Sequence, residues 1–335
     1  MACNIDLVCL IAPPFRDPQG DPITVPPKGY GGIQWSLAGV IDGLLAVGLR
    51  CVLLGAPGSL PQEGLEVADA FTRKEICAWI AANRPSVVSD FANFSGFDLT
   101  LPSEVAYCTT WQLTGAPPAR RNPIYVSYAQ RRAAGGGDAP MIRLPANPAH
   151  YRMVAQSDDY LLFLGRVSPW KGTYEAAMFA AAAGLELVIA GPTWDVEYRR
   201  RIEREFGGNV TFNGEVSGQR RRDLLTHARA LLAMSQPVEG PWGARWSEPG
   251  AAVVAEAAMS GTPVIGSDNG CLAEIVPEVG AIVADVRSVN AVDILTGLPA
   301  SAAVRNRAVE LWHHEVIARE YARVFERVEA GDSWT

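Results

Sequence analysis

The chain has 335 residues, 48% of them hydrophobic and 19% charged, which excludes disorder over most of its length and suffices for one or two substantial cores. A formal net charge of -7, from 29 Lys and Arg against 36 Asp and Glu, excludes a generally basic nucleic-acid surface while leaving room for a local basic pocket. Four histidines, and six scattered cysteines (Cys3, Cys9, Cys51, Cys77, Cys108 and Cys271), offer no metal-type pairing, so no metal centre is expected and the thiols read as core residues of a reducing, cytoplasmic setting.

Residues 5–12 are β-branched and Leu-rich on both faces, as an interior parallel strand requires, and with Asp6 they read as a first strand rather than a leader. A proline-rich loop over 13–32 follows and ends in Lys28-Gly-Tyr-Gly-Gly. The spacing of Trp35, Leu37, Val40, Ile41, Leu44 and Leu45 then predicts a helix. Further strands are expected at 51–54, 87–88 and 105–107, which makes an open parallel sheet the economical solution. Proline and glycine concentrate over 135–148 and mark a boundary near 150. Beyond it the pattern repeats, with strands at 160–164, 187–190, 210–212, 230–234 and 263–265 and helices at 172–183, 196–206, 218–227 and 251–259. Residues 303–328 read as amphipathic helix in two pieces. No run approaches the roughly 18 uninterrupted apolar residues of a membrane-spanning helix. The class is therefore α/β.

Three segments carry a family resemblance: FLGRVSPWKG at 163–172, EPGAAVVAEAAMSGTPVIGSDNGCLAEIV at 248–276 and KGYGGIQW at 28–35. Together they resemble the retaining glycosyltransferases of family 4, nearest the short bacterial members that serve oligosaccharide-antibiotic pathways of the orthosomycin and avilamycin type. The resemblance implies the GT-B fold, two Rossmann-like domains with parallel sheets facing a cleft. An acceptor-side domain over 1–150, a nucleotide-sugar domain over 151–305 and a C-terminal helical segment over 306–335 that crosses back to the first domain are the expected parts. It further implies transfer of a hexose-like sugar from a nucleoside diphosphate donor, UDP favoured, to a hydroxyl of a small bacterial metabolite. The anomeric configuration is retained, and neither metal nor other cofactor is required. The expected partners are the nucleotide sugar and a small-molecule acceptor, with no nucleic acid and no integral membrane association.

Arg166 and Lys171 flank a short loop after the strand at 160–164, where two cations can neutralise a diphosphate leaving group as its bond to the sugar breaks. On spacing alone they read equally as exposed charges around a turn. Glu248 and Glu256 form the family's Glu-seven-residues-Glu pattern, in which Glu248 addresses donor-sugar hydroxyls and Glu256 the ribose. With Pro249 in the first turn, Glu248 is placed at a helix entrance and Glu256 two turns inside. An isolated pair would be a helix-start anion and a solvated residue, but the small apolar residues around Glu256 enclose it and demand a partner. By the same resemblance, backbone amides of Gly270, Cys271 and Leu272 meet phosphate or sugar oxygens, while the Cys271 thiol is incidental. Gly31 and Gly32 lie between strand and helix, where positive φ or close approach to ligand is expected. The segment lacks the G-x-G-x-x-G dinucleotide spacing.

Many relatives carry a histidine after a first-domain strand, near the transferred sugar. Here the corresponding stretches read Val87-Val-Ser-Asp-Phe-Ala-Asn93 and Ala106-Tyr-Cys-Thr-Thr-Trp-Gln112. Asp90 heads the substitutes, as a carboxylate orienting the acceptor or stabilising positive sugar character, ahead of Asn93, Thr110 and Gln112. Asp90 is equally a helix cap. The gap opens a second function, a catalytically impaired nucleotide-sugar binder with a regulatory or partner-supporting role.

Overall fold

The computed structural model describes residues 5–17, 19–94, 98–115 and 121–334. The contacts divide the chain into two units, one made of residues 1–145 and 312–335, the other of 146–311.

The first unit runs β1 (Val8–Ile11), α1 (Gly32–Ala46), β2 (Cys51–Leu54), β3 (Leu65–Ala68), α2 (Arg73–Asn83), β4 (Val87–Asp90), β5 (Tyr107–Trp111), β6 (Pro123–Tyr125) and α3 (Tyr128–Ala133). Its strands pair in parallel in the order β3-β2-β1-β4-β5-β6. β1 and β4 are buried along their whole length; β1 is apolar on both faces, whereas β4 ends in the buried polar pair Ser89 and Asp90. The expected strand at 87–88 extends to Asp90, and the one at 105–107 begins at Tyr107 instead of ending there. β3 and β6 escape the sequence reading because β3 carries Glu66 and β6 opens on a proline, which suits an edge strand.

The second unit holds β7 (Tyr160–Leu164), α4 (Thr173–Ala183), β8 (Glu186–Ala190), α5 (Val196–Phe206), β9 (Val210–Gly214), α6 (Gly218–His227), β10 (Ala230–Ala233), α7 (Ala252–Met259), β11 (Val264–Gly266), α8 (Leu272–Ile275), β12 (Gly280–Ile282), α9 (Ala291–Thr296) and most of α10 (Ser301–Trp312). Its parallel sheet has the order β12-β11-β10-β7-β8-β9. Counted from the first strand of each unit, both sheets follow the Rossmann order, with connections running to opposite sides of β1 and of β7. The two units are therefore Rossmann-like, as the GT-B expectation requires.

The C-terminal helical segment does break in two, at His313. The side chain of His313 caps α11 (His314–Glu329), its Nδ1 accepting from Glu315 N at 3.3 Å. α11 packs on α1, burying Ile317, Ala318, Tyr321, Val324, Phe325 and Val328 in the same core as Leu37, Val40, Ile41 and Leu44. Tyr321 also reaches β5, its hydroxyl 3.2 Å from Thr110 Oγ1. Beyond it the Trp334 indole donates to Pro123 O at 2.8 Å. The described cysteines are free; Cys9, Cys51, Cys108 and Cys271 are buried, and Cys77 is partly so. Cys3 lies outside the described residues.

The close approach of α11 depends on Gly43, where an added Cβ would lie 2.3 Å from the His314 carbonyl oxygen. Gly43→Ala is expected to destabilise the protein by about 2–3 kcal/mol, the scale of an overpacked helix contact, as read from the midpoint of urea unfolding. A midpoint unchanged from wild type would show that α11 is not held at this distance.

Candidate functional site

β7 and β10 are neighbours from which the connections diverge, so the segments leaving their carboxyl ends border the switch-point crevice of the second sheet. From β7 the chain passes Gly165 and Arg166 into a single 3-10 turn, Pro169–Lys171, closed by Gly172. Gly172 has φ +71°, and a Cβ there would lie 1.7 Å from the Met234 carbonyl oxygen, so only glycine lets this loop cross the end of β10. Ser235 Oγ and Gln236 N, just past β10, both donate to the Trp170 carbonyl, at 3.0 and 2.9 Å.

The crossing brings Lys171 onto Glu248, with Nζ donating to both carboxylate oxygens at 2.7 Å. Trp246 completes the cluster. Its indole N–H lies 2.9 Å from Ser235 Oγ and 3.1 Å from Glu248 Oε2, and Lys171 Nζ stands 4.6 Å from its ring centroid. With side-chain exposures of 23% and 8%, Lys171 and Glu248 form a largely withdrawn ion pair, in which each charge is tolerable because of the other. Arg166 is held differently, its Cζ 3.5 Å from the Trp194 ring centroid and 5.9 Å from that of Trp170.

Gly270 and Cys271 seat Glu248. Cys271 N donates to the Glu248 carbonyl at 2.8 Å, and Leu272 N to Asn269 O at 3.3 Å, so these two amides are engaged within the protein. Gly270 has φ +61°, and a Cβ there would come within 2.3 Å of the same carbonyl. Burial first, and the nearby Glu248 second, push the Cys271 thiol well above its ordinary range, which keeps it protonated and inert.

The expected start of α7 is corrected. Ala251, at φ 43° and with no side-chain cap, precedes the helix, so Pro249 lies outside it and Glu256 falls in its second turn. Glu256 is buried and already has protein partners: Arg221 Nη2 donates to Oε2, and the Tyr151 hydroxyl is hydrogen-bonded to both residues. Burial opposes the Arg221 charge, but Glu256 and Tyr151 outweigh it and its pKa is raised. Burial, then Glu256, push the Tyr151 phenol far above its usual range. Arg221, Tyr151, Trp194 and Trp246 were not legible as site residues. Arg221 stands in a run of three arginines, and the signal that singles it out is its place four residues before the buried Leu225 on one helical face.

In the first unit the expectations fare less well. Gly31 is extended at φ 167°, and Gly32 is not among the positive-φ glycines, so the left-handed turn is not formed. Close packing explains Gly31, where a Cβ would meet Gln34, Ile23 and Pro27 at 3.1–3.2 Å, whereas Gly32 has open space around it. The Trp35 indole donates to Gly29 O at 3.0 Å. Asp90 has no exposed surface: Tyr107 Oη donates to Oδ2 and Ala92 N to Oδ1 at 2.7 Å, so its carboxylate closes the turn after β4. Gln112 Oε1 accepts from Ser36 Oγ at 2.8 Å, and Asn93 Nδ2 donates to Phe91 O at 3.3 Å. None of the four histidines follows β4 or β5; His150 ends a 3-10 turn, His227 ends α6, and His313 and His314 open α11.

Among the described residues no three His, Cys, Asp or Glu side chains group where they could hold a metal ion, and no helix is long and apolar enough to cross a membrane.

Residues 153–293 match the family model of the group 1 glycosyl transferases. Over 99% of this chain and 100% of its own, the crystal structure of AviGT4, a glycosyltransferase involved in avilamycin A biosynthesis, is 48% identical and superposes with a TM-score of 0.94. Sucrose-phosphate synthase from Thermosynechococcus elongatus covers 98% of this chain and 100% of its own at 18% identity, with a TM-score of 0.71. Anabaena HepE, solved in complex with UDP-glucose, covers 97% and 99% at 13% identity, with a TM-score of 0.67. At such identities the last two establish a common fold. No curated protein matches the sequence significantly.

Lys171→Ala leaves the Glu248 carboxylate withdrawn from water with an indole N–H as its remaining side-chain donor. A loss of about 3 kcal/mol in unfolding free energy is expected, and the Lys171→Ala/Glu248→Gln double variant should recover part of it. Additive losses in that cycle would show the pair to be uncoupled.

Proposed function

The chain belongs to the group 1 glycosyl transferases, family 4 of the retaining GT-B enzymes, and on that premise we propose that it moves a hexose-like sugar from UDP to a hydroxyl of a small bacterial metabolite. The observation that carries this reading is the meeting of Lys171 and Glu248, 77 residues apart in sequence, at the switch-point crevice. A lysine and an indole-anchored carboxylate at the carboxyl ends of β7 and β10 supply what a sugar diphosphate needs: positive charge for its phosphates and an acceptor for its hydroxyls.

In this reading Arg166 and Lys171 meet the diphosphate, Glu248 the sugar hydroxyls, and Glu256 the ribose hydroxyls through lone pairs that Arg221 and Tyr151 leave over. As the bond from the anomeric carbon to the phosphate oxygen breaks, negative charge grows on the departing oxygen and the sugar becomes oxocarbenium-like. The two cations stabilise that separation more than they stabilise the intact donor, which is the condition for catalysis. The acceptor hydroxyl enters on the face the phosphate leaves, forms the new bond to the anomeric carbon and gives its proton to the departing phosphate oxygen. The anomeric configuration is thereby kept without a protein base, in accord with Asp90 being engaged elsewhere. A cytoplasmic setting and an acceptor of the kind met in oligosaccharide-antibiotic assembly complete the proposal; the relative's role in avilamycin A biosynthesis supports the latter.

The test is transfer from UDP-glucose and related UDP-sugars to a panel of hydroxylated acceptors, with the product anomer assigned by NMR. A glycoside of retained configuration is expected, with kcat lowered about 10²–10³-fold in Arg166→Ala and Lys171→Ala. An inverted product would overturn the mechanism. Tight UDP binding with no transfer across the panel would favour the binding-protein alternative.

A further inference from the structure

Trp194 is 55% exposed, so burial of apolar surface does not account for an indole there. Its ring lies against a cation instead, with Arg166 Cζ 3.5 Å from the centroid, a van der Waals contact with the ring face. Arg166 and Trp194 follow the carboxyl ends of the adjacent strands β7 and β8, and the backbone between them stays zipped past both strands. Gly165 N donates to Ala190 O at 2.9 Å and Val167 N to Pro192 O at 3.0 Å, and Val167 and Thr193 form a further parallel bridge. Gly191 permits this approach: its φ is +148°, and a Cβ there would lie 1.9 Å from the Gly165 carbonyl oxygen. On the other side Asp195 caps α5, its Oδ1 accepting from Tyr198 N at 2.9 Å. Trp194 thus stands between a zipped strand extension and a capped helix start, where the backbone has little freedom.

A guanidinium resting on an aromatic face has its N–H groups in its own plane, so the ring restrains it without consuming a donor or neutralising its charge. A carboxylate partner does the opposite, as Glu248 does for Lys171. We propose that Trp194 is a positioning residue for Arg166: its indole face holds the guanidinium at the switch-point crevice with the N–H fork undiverted by the ring, and thereby sets the affinity for the diphosphate of the nucleotide-sugar donor. This inference rests on the donor reading of the site.

The probe is UDP, titrated by calorimetry into the unaltered protein and into Trp194→Ala, Trp194→Phe, Arg166→Ala and the Trp194→Ala/Arg166→Ala double variant. Trp194→Ala is expected to raise Kd about 3- to 30-fold, the range of a cation–aromatic contact. Trp194→Phe should restore most of the affinity, and Trp194→Ala should add little in the Arg166→Ala background. Because Trp194 is half exposed, the thermal midpoint of Trp194→Ala should stay close to that of the parent, which separates a binding defect from unfolding. Unchanged UDP affinity in Trp194→Ala, together with weakened affinity in Arg166→Ala, would overturn the Trp194 role and leave the donor reading standing. Additive losses in the double variant would also overturn it, because Trp194 would then act without Arg166. Unchanged affinity in Arg166→Ala, or no UDP binding by the unaltered protein, would overturn the donor reading and this inference with it.

Discussion

The ion pair between Lys171 and Glu248 is the constraint on which the second unit's crevice depends. Neither side chain is free to stand alone so far from water, so the loop after β7 and the segment after β10 are obliged to keep a fixed spacing. The backbone allows that spacing through glycine at two crossings, Gly172 over Met234 and Gly270 under Glu248. The same pair imposes a condition on any ligand. A diphosphate that draws Lys171 away leaves Glu248 needing hydrogen-bond donors, and sugar hydroxyls supply them; a group that engages one partner alone leaves the other withdrawn and unmatched. In the proposed reading the two ends of a sugar diphosphate are therefore recognised together.

The fold was readable in sequence to the extent that burial on both faces leaves an apolar run. β1, β2, β7 and β8 are of this kind, and their positions follow directly from Leu, Val and Ile content. β3, β6 and β12 are not, since Leu65–Ala68 and Gly280–Ile282 are short and only partly buried and Pro123–Tyr125 opens on a residue with no N–H to give. One strand order recurs in both units; the right-handed crossover of each βαβ step fixes the face on which its helix packs but not that order, which the sequence pattern does not carry.

The positions of Arg166 and Lys171 were legible because the strand end of β7 and the tight turn after it set their spacing, and Glu248 lies against Lys171. What escaped was the company these residues keep. Trp246, Ser235 and Arg221 act through side chains brought in from other segments, and a one-dimensional pattern has no term for such contacts. Asp90 shows the same limit. A carboxylate at a strand end has the right chemistry for orienting a hydroxyl, but Tyr107, on the neighbouring strand β5, claims it, and only the parallel register of β4 against β5 reveals that.

Three cations near this crevice are held in three ways. Arg221, with 11% of its side chain exposed, has the cost of burying its charge outweighed by Glu256 and Tyr151, which both face it, so its role is first to hold that cluster together. Lys171, at 23%, has one carboxylate partner that a ligand's hydroxyls can relieve. Arg166 rests on an indole, which steers the guanidinium while taking none of its N–H groups. In the reading proposed above, Lys171 gains from a donor only as Glu248 changes partners, so its contribution is to telling one donor from another.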